Sequence, residues 1–187
     1  MTSTSQNPVS TQADLLVAFG DITLFARTAA AMPDAAAFKL LSDFYEMIGD
    51  IVEKAGGKFL KPIGDAALVV FPDTAVDAGV RALVTMKARC DEWMEKRNLP
   101  CRLRIGAHFG PVACGPLGSR SDKRFDIIGN TVNIAARLRT GGIAISPQVF
   151  RKLKPDTRRL FKKHTPPVTY IPVGERHESG VKGALSW

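Results

Sequence analysis

Cysteine is scarce: Cys90, Cys101 and Cys114 are the only three in 187 residues. An odd number without metal-ligand spacing argues against a disulfide framework and a cysteine-based metal site. It implies reduced thiols, as in the cytosol, with burial as their role. Long apolar runs are missing too. None approaches the roughly 18 residues that a membrane span needs, so no membrane insertion is expected. The opening stretch MTSTSQNPVSTQAD has no charge before Asp14, which excludes a signal peptide and an amphipathic targeting helix. Residues 1–13 are expected to form a disordered lead-in. Acidic residues are in deficit, 18 against 26 Lys and Arg, for a net charge of +8. The excess crowds Arg151, Lys152, Lys154, Arg158, Arg159, Lys162 and Lys163. A solvated helix face is the favoured reading, and attraction of a polyphosphate substrate is a second. Nucleic-acid binding is a third, but no aromatic stacking pattern or binding motif accompanies the charge, and no such partner is expected.

What is present suits one domain with a real core. Leu15 to Phe19 reads as a strand that delivers Asp21 to its end. Pro33 and Asp34 open a long helix with Phe38, Leu41, Tyr45, Ile48 and Val52 as its apolar stripe and Gly56-Gly57 as its stop. Lys58–Ile63 and Ala66–Phe71 are strands pinched at the Gly64-Asp65 turn. Asp73 or Thr74 caps a second long helix that carries Val76, Val80, Leu83, Val84, Cys90 and Met94. Ile143–Ile145 is a short strand, Ser146-Pro147 caps a short helix, and Val168–Val173 is the last strand. Residues 14–174 form the expected domain and residues 175–187 a polar tail. Hairpins alternating with long helices point to an α+β layer.

The most informative stretch runs from Arg102 to Leu138. It opens with a strand that places Leu103, Ile105 and Ala107 on one face and Arg104 and Gly106 on the other. Gly110-Pro111 is expected to break that strand before a second apolar run, Val112–Leu117. Phe125-Asp126-Ile127-Ile128 follows, and after Gly129 the period becomes helical. Asn133 and Arg137, four apart, share one helix face.

This stretch resembles the class III adenylyl and guanylyl cyclase catalytic domain, with its R-h-G-h-H-x-G and (Y/F)-D-h-h-G-x-x-V-N-h-A-x-R patterns (h, hydrophobic). Phe19-Gly20-Asp21-Ile22 and the run Gly56 to Asp65 match two further family segments in the right order, so the resemblance covers roughly Leu15 to Val173. It implies a ferredoxin-like palm core with extra C-terminal elements. It also implies an adenylate cyclase that turns ATP into cyclic AMP and pyrophosphate. Asp21, Asp65 and the Ile22 carbonyl would hold two Mg²⁺ or Mn²⁺ ions per site. Lys61 and Asp126 would read adenine, where guanylyl cyclases typically carry Glu and Cys, and Phe25 is a further substrate-binding position. Asn133 would orient the ribose, and Arg137 would stabilise charge at the α-phosphate. Lys162 and Lys163 are both candidates for the terminal phosphate, and His108 is read as structural. The family's homodimers build two composite active sites at one interface, so a cytoplasmic homodimer is implied. Guanylate cyclase and a catalytically weak nucleotide-binding module are the alternatives. One departure stands out: Leu24-Phe25-Ala26 replaces the usual Gly-Phe-Thr or Gly-Phe-Ser, a change that bears on phosphate positioning and turnover.

Overall fold

Alternation of side chains sets the centre of the fold. In β1 (Thr11–Ile22), Leu16, Ala18 and Ile22 face one side of the sheet, while Val17, Phe19 and Asp21 face the other. The structure is a computed structural model that describes residues 10–138 and 141–175. After β1 come α1 (Phe25–Ala29), α2 (Asp34–Lys54), β2 (Lys58–Ile63), β3 (Ala66–Pro72) and α3 (Val76–Glu95). β4 (Leu103–Gly118), β5 (Lys123–Ile128), α4 (Asn130–Arg137), β6 (Ile143–Ile145) and α5 (Pro147–Lys152) follow. α6 (Pro155–Arg158), β7 (Phe161–His164) and β8 (Thr169–Pro172) complete the chain. The sheet runs β2-β3-β1-β4-β6-β8-β7, with β5 paired to the far half of β4. Its first four strands are antiparallel neighbours in the order of a βαββαβ ferredoxin-like unit, the α+β palm core expected.

α2 and α3 cover one face. Phe44, Ile48, Leu83 and Met86 are fully buried there with Leu16, Phe71 and Ile105, and each such side chain contributes roughly 1.5–3 kcal/mol on burial. The Gly56-Gly57 stop works through a backbone turn. Gly56 takes φ 78°, and the N–H groups of Gly56 and Gly57 donate to the carbonyls of Glu53 and Val52. α4 lies on the opposite face against β4 and β1. Gly106 makes that approach possible, because a Cβ there would lie 2.4 Å from the carbonyl oxygens of Ala135 and Leu138.

Several expectations need correction. β1 is paired from Thr11 onward, inside the stretch read as a disordered lead-in, while residues 1–9 lie outside the described residues. β4 is one continuous strand through Gly110-Pro111. On its β1 side it is paired from Leu103 to Cys114, but on the other it pairs β6 only through Ala107 and β5 only from Ala113. Pro111 falls in the gap between those partners, where a missing N–H is tolerated. Phe38 is 78% exposed, because the N-terminal end of α2 is open to solvent; Phe44 and Ile51 take its place in the buried stripe. A 3₁₀ turn over Asp73–Ala75 precedes α3 with no side-chain cap. Asp73 pairs instead with Lys152 at 2.5 Å. The basic C-terminal segment is divided among α5, α6 and β7. Arg158 donates to the carbonyls of Phe150 and Arg151, and Arg159 pairs with Asp156. Ser146 caps α5 as expected, accepting from the Val149 N–H, and also bonds the buried His108 at 2.8 Å. Most of the expected tail, residues 176–187, lies outside the described residues.

Candidate active site

Strand β1 carries Asp21 on the face away from α2 and α3, directly across from Arg104 of β4. The guanidinium donates to the Asp21 carboxylate at 2.5 Å. Both residues line a cleft of about 250 Å³ with Phe19, Ala66, Gly106 and Ala135. Asp65, on the turn between β2 and β3, belongs to the same electrostatic group. Desolvation raises its pKa above the ordinary carboxylate value, and the negative charge of Asp21 raises it further. Its own backbone hydrogen bond and Arg104 pull the other way.

Two carboxylates that repel each other beside one guanidinium fit a hard divalent cation, which takes oxygen ligands. Among the described residues no group of three or more His, Cys, Asp or Glu side chains converges. An ion held by Asp21 and Asp65 would therefore complete its shell with water, backbone carbonyls or substrate phosphates, the usual pattern for magnesium. The Ile22 side chain is 2% exposed and packed in the core, so only its backbone could serve. Phe25 is likewise buried in the helix-layer core, so any contribution of its own to a ligand is through the main chain. Leu24 before it takes φ 59° and ψ 11°, the left-handed conformation that glycine adopts without strain, and its side chain is 54% exposed.

A second cluster joins distant elements. Lys61 of β2 forms an ion pair with Asp126 of β5. Asp126 also accepts from the Ile127 N–H at 2.8 Å, and the Lys58 ammonium lies 4.9 Å from the Phe125 ring centroid. The β4–β5 hairpin is thereby clasped to β2. An ammonium donor beside a carboxylate acceptor matches the edge of adenine, which accepts at N1 and donates from its exocyclic amine.

Asn133 and Arg137 are exposed, one turn apart on α4. Among the described residues neither bonds to Asp21 or Asp65. One chain thus brings the two acids together and, separately, the Lys61–Asp126 pair, while Asn133 and Arg137 project outward.

Strand alternation separates the two candidate lysines. Lys163 pairs with Tyr170, which pairs with Ile145 of the helix-layer core, so Lys163 lies on the helix face. Lys162 lies on the opposite face, the side of Asp21 and Arg104, and its ammonium donates to the carbonyls of Val173 and Glu175 at 3.0 and 2.7 Å. Sequence reasoning overlooked Arg104 as a partner of Asp21. The signal was its place on the polar face of an alternating strand. It also missed β7 and the short helices α1 and α6, which are too short to show a period.

The palm core with its added C-terminal strands is the fold of the nucleotide cyclase domains. The chain belongs to the adenylate and guanylate cyclase catalytic domain family, whose model matches residues 8–178. The adenylate cyclase of Anabaena cylindrica is 29% identical over 132 residues, 66% of this chain and 26% of that protein. Receptor-type guanylate cyclase gcy-1 of Caenorhabditis elegans is 30% identical over 158 residues, 80% of this chain and 14% of its own length. Among solved structures, the adenylyl cyclase CyaB from P. aeruginosa superposes with a TM-score of 0.77 at 22% identity. That match covers 92% of this chain and 100% of the other. The chain therefore spans a minor part of these two sequence relatives, which include both adenylate and guanylate cyclases. No described helix is long and apolar enough to cross a membrane.

Proposed function

We propose that the chain is an adenylate cyclase that converts ATP to 3′,5′-cyclic AMP and pyrophosphate as a homodimer with two composite sites. The observation that carries this reading is the Lys61–Asp126 pair, a donor and an acceptor already set side by side. Lys61 donates to adenine N1 and Asp126 accepts from the amine, while guanine presents the reverse pattern at those atoms. Asn133 holds the ribose. The 3′-oxygen loses its proton to solvent water and bonds to the α-phosphorus as the bond to the pyrophosphate oxygen breaks. Arg137 stabilises the charge that develops there, a task suited to a fixed guanidinium fork. Lys162 faces the terminal phosphates, and Arg104 adds a second cation to the acid cleft. Bound by Asp21 and Asp65, two Mg²⁺ or Mn²⁺ ions would supply the Lewis acidity that favours the 3′-alkoxide and neutralises the triphosphate. The free, buried cysteines support a reducing, cytoplasmic setting.

A second reading, a nucleotide-binding module with weak catalysis, is favoured by one observation: Leu24 stands where the left-handed backbone suits glycine. Purified protein incubated with Mn²⁺ and either ATP or GTP, with chromatographic assay of cyclic nucleotide and pyrophosphate, separates these readings. Cyclic AMP in excess is the expected result. Cyclic GMP in excess would reassign the base, and nucleotide binding without either product would favour the weak module.

A further inference from the structure

We propose that the Tyr45 hydroxyl is a latch that positions the Asp65 carboxylate for cation binding. This rests on the reading of Asp21 and Asp65 as the cation-binding acids. In sequence, Tyr45 belongs to the apolar stripe of α2, and a phenylalanine would fill that place as well. The hydroxyl has a separate destination. It donates to the carbonyl of Gly64, the residue immediately before Asp65. The ring itself is fixed on two sides, with centroid distances of 5.6 Å to Phe44 and 5.6 Å to Phe59. Phe44 is fully buried and Phe59 belongs to β2, so the ring ties α2 to the strand that leads into the turn.

The need for such a latch follows from the topology. Asp21 is held by a central strand paired on both sides. Asp65 is on the tip of the β2–β3 hairpin, whose outer strand is the sheet edge and is irregular between Phe59 and Lys61. The tip of an edge hairpin has few constraints of its own, and two carboxylates that repel each other gain by moving apart. A hydrogen bond from a helix residue to the Gly64 carbonyl fixes the peptide from which the Asp65 side chain departs. Burial raises the pKa of the Tyr45 hydroxyl, and the nearby charge of Asp65 raises it further, so the group remains a donor.

The test uses Mn²⁺ binding in the presence of 3′-deoxy-ATP, which cannot cyclise, read by electron paramagnetic resonance. Tyr45→Phe removes the hydroxyl and keeps the ring. It should weaken Mn²⁺ binding about three- to ten-fold, the worth of one hydrogen bond, with the melting temperature within about 2 °C of wild type. With Asp65→Ala already in place, the same change should have no further effect on Mn²⁺. Unchanged Mn²⁺ affinity would overturn the proposal, and so would an equal extra loss in the Asp65→Ala background. A large fall in melting temperature would make the hydroxyl a general scaffold rather than a latch. Wild-type protein that binds 3′-deoxy-ATP but no Mn²⁺ would instead refute the cation site, and the latch with it.

Discussion

Asp21 and Asp65 are one pair chemically, yet the fold holds them by opposite means. Asp21 is carried by a strand with twelve consecutive partners in β4 on one side and seven in β3 on the other. Asp65 is carried by a turn at the sheet edge and gains its order from α2. The Lys61–Asp126 pair, proposed above to read the base, belongs wholly to the periphery, since Lys61 lies on the edge strand and Asp126 on a hairpin beyond the main path of the sheet. Order at the centre comes from the ladder, and order at the periphery comes from individual side-chain ties. Central substitutions should therefore act through backbone and charge, and peripheral ones through single contacts.

The largest test asks whether centre and periphery of one chain serve one site or two. Asp65→Ala and Arg137→Ala should each lower turnover more than a hundred-fold, given the roughly 10²–10³ lost when one transition-state contact is removed. Mixed and allowed to exchange, half the dimers carry one intact site of two, so about a quarter of wild-type activity should return. Exchange confirmed by tagged pull-down without recovery would mean that the sites are not shared.

The next test concerns the peripheral pair alone. Lys61→Glu with Asp126→Cys should shift the ratio of ATP to GTP use toward GTP. Each mispaired group, once a bound base excludes water from it, costs about 1–3 kcal/mol, or about 5- to 150-fold in kcat/KM. Mn²⁺ binding at Asp21 and Asp65 should be unchanged, and a change there would tie the peripheral pair to the cation site.

Leu24 lies two residues past the end of the central strand, and its cost is written in the backbone. A left-handed non-glycine residue carries about 1–2 kcal/mol of strain, partly offset by the entropy that glycine loses on folding. Leu24→Gly should raise the melting temperature by about 2–4 °C, measured by calorimetry. A fall would mean that the exposed Leu24 side chain contributes packing that outweighs the strain.

The smallest effect is on pH. A carboxyl whose folded pKa is raised binds its proton more tightly in the folded state, so its ionised form costs stability at neutral pH. Without divalent ions, Asp65→Asn should melt higher than wild type at neutral pH. That gap should close as pH falls toward the ordinary carboxylate range near about 4. A gap that widens on acidification would reverse the assigned direction.

The same contrast explains what sequence could and could not reveal. Asp21, Asp65, Lys61, Asp126, Asn133 and Arg137 are singled out only by the resemblance of their stretches to the cyclase family's patterns. The two long helices and the β2–β3 hairpin follow from period and turn chemistry. Pro111 misled because its cost depends on which neighbour flanks it, and that is set by where β5 and β6 dock. Phe38 misled because periodicity fixes a helix face but not how far the helix is covered. Arg104 and Tyr45 look like a strand polar residue and a core aromatic. Their roles exist only once Asp21 and Gly64 arrive from elsewhere in the chain.

The alternation along β1 has a consequence for how this gene can vary. Asp21 reaches the cleft because an even number of steps separates it from Val17, which faces the same side. One inserted codon between Val17 and Asp21 would turn the carboxylate into the helix layer, toward the place that Ile22 now fills. Two inserted codons would restore the side but carry the acid roughly 6.6 Å past Arg104. On the proposed role of Asp21, the strand is thus constrained in parity and length as well as in residue type.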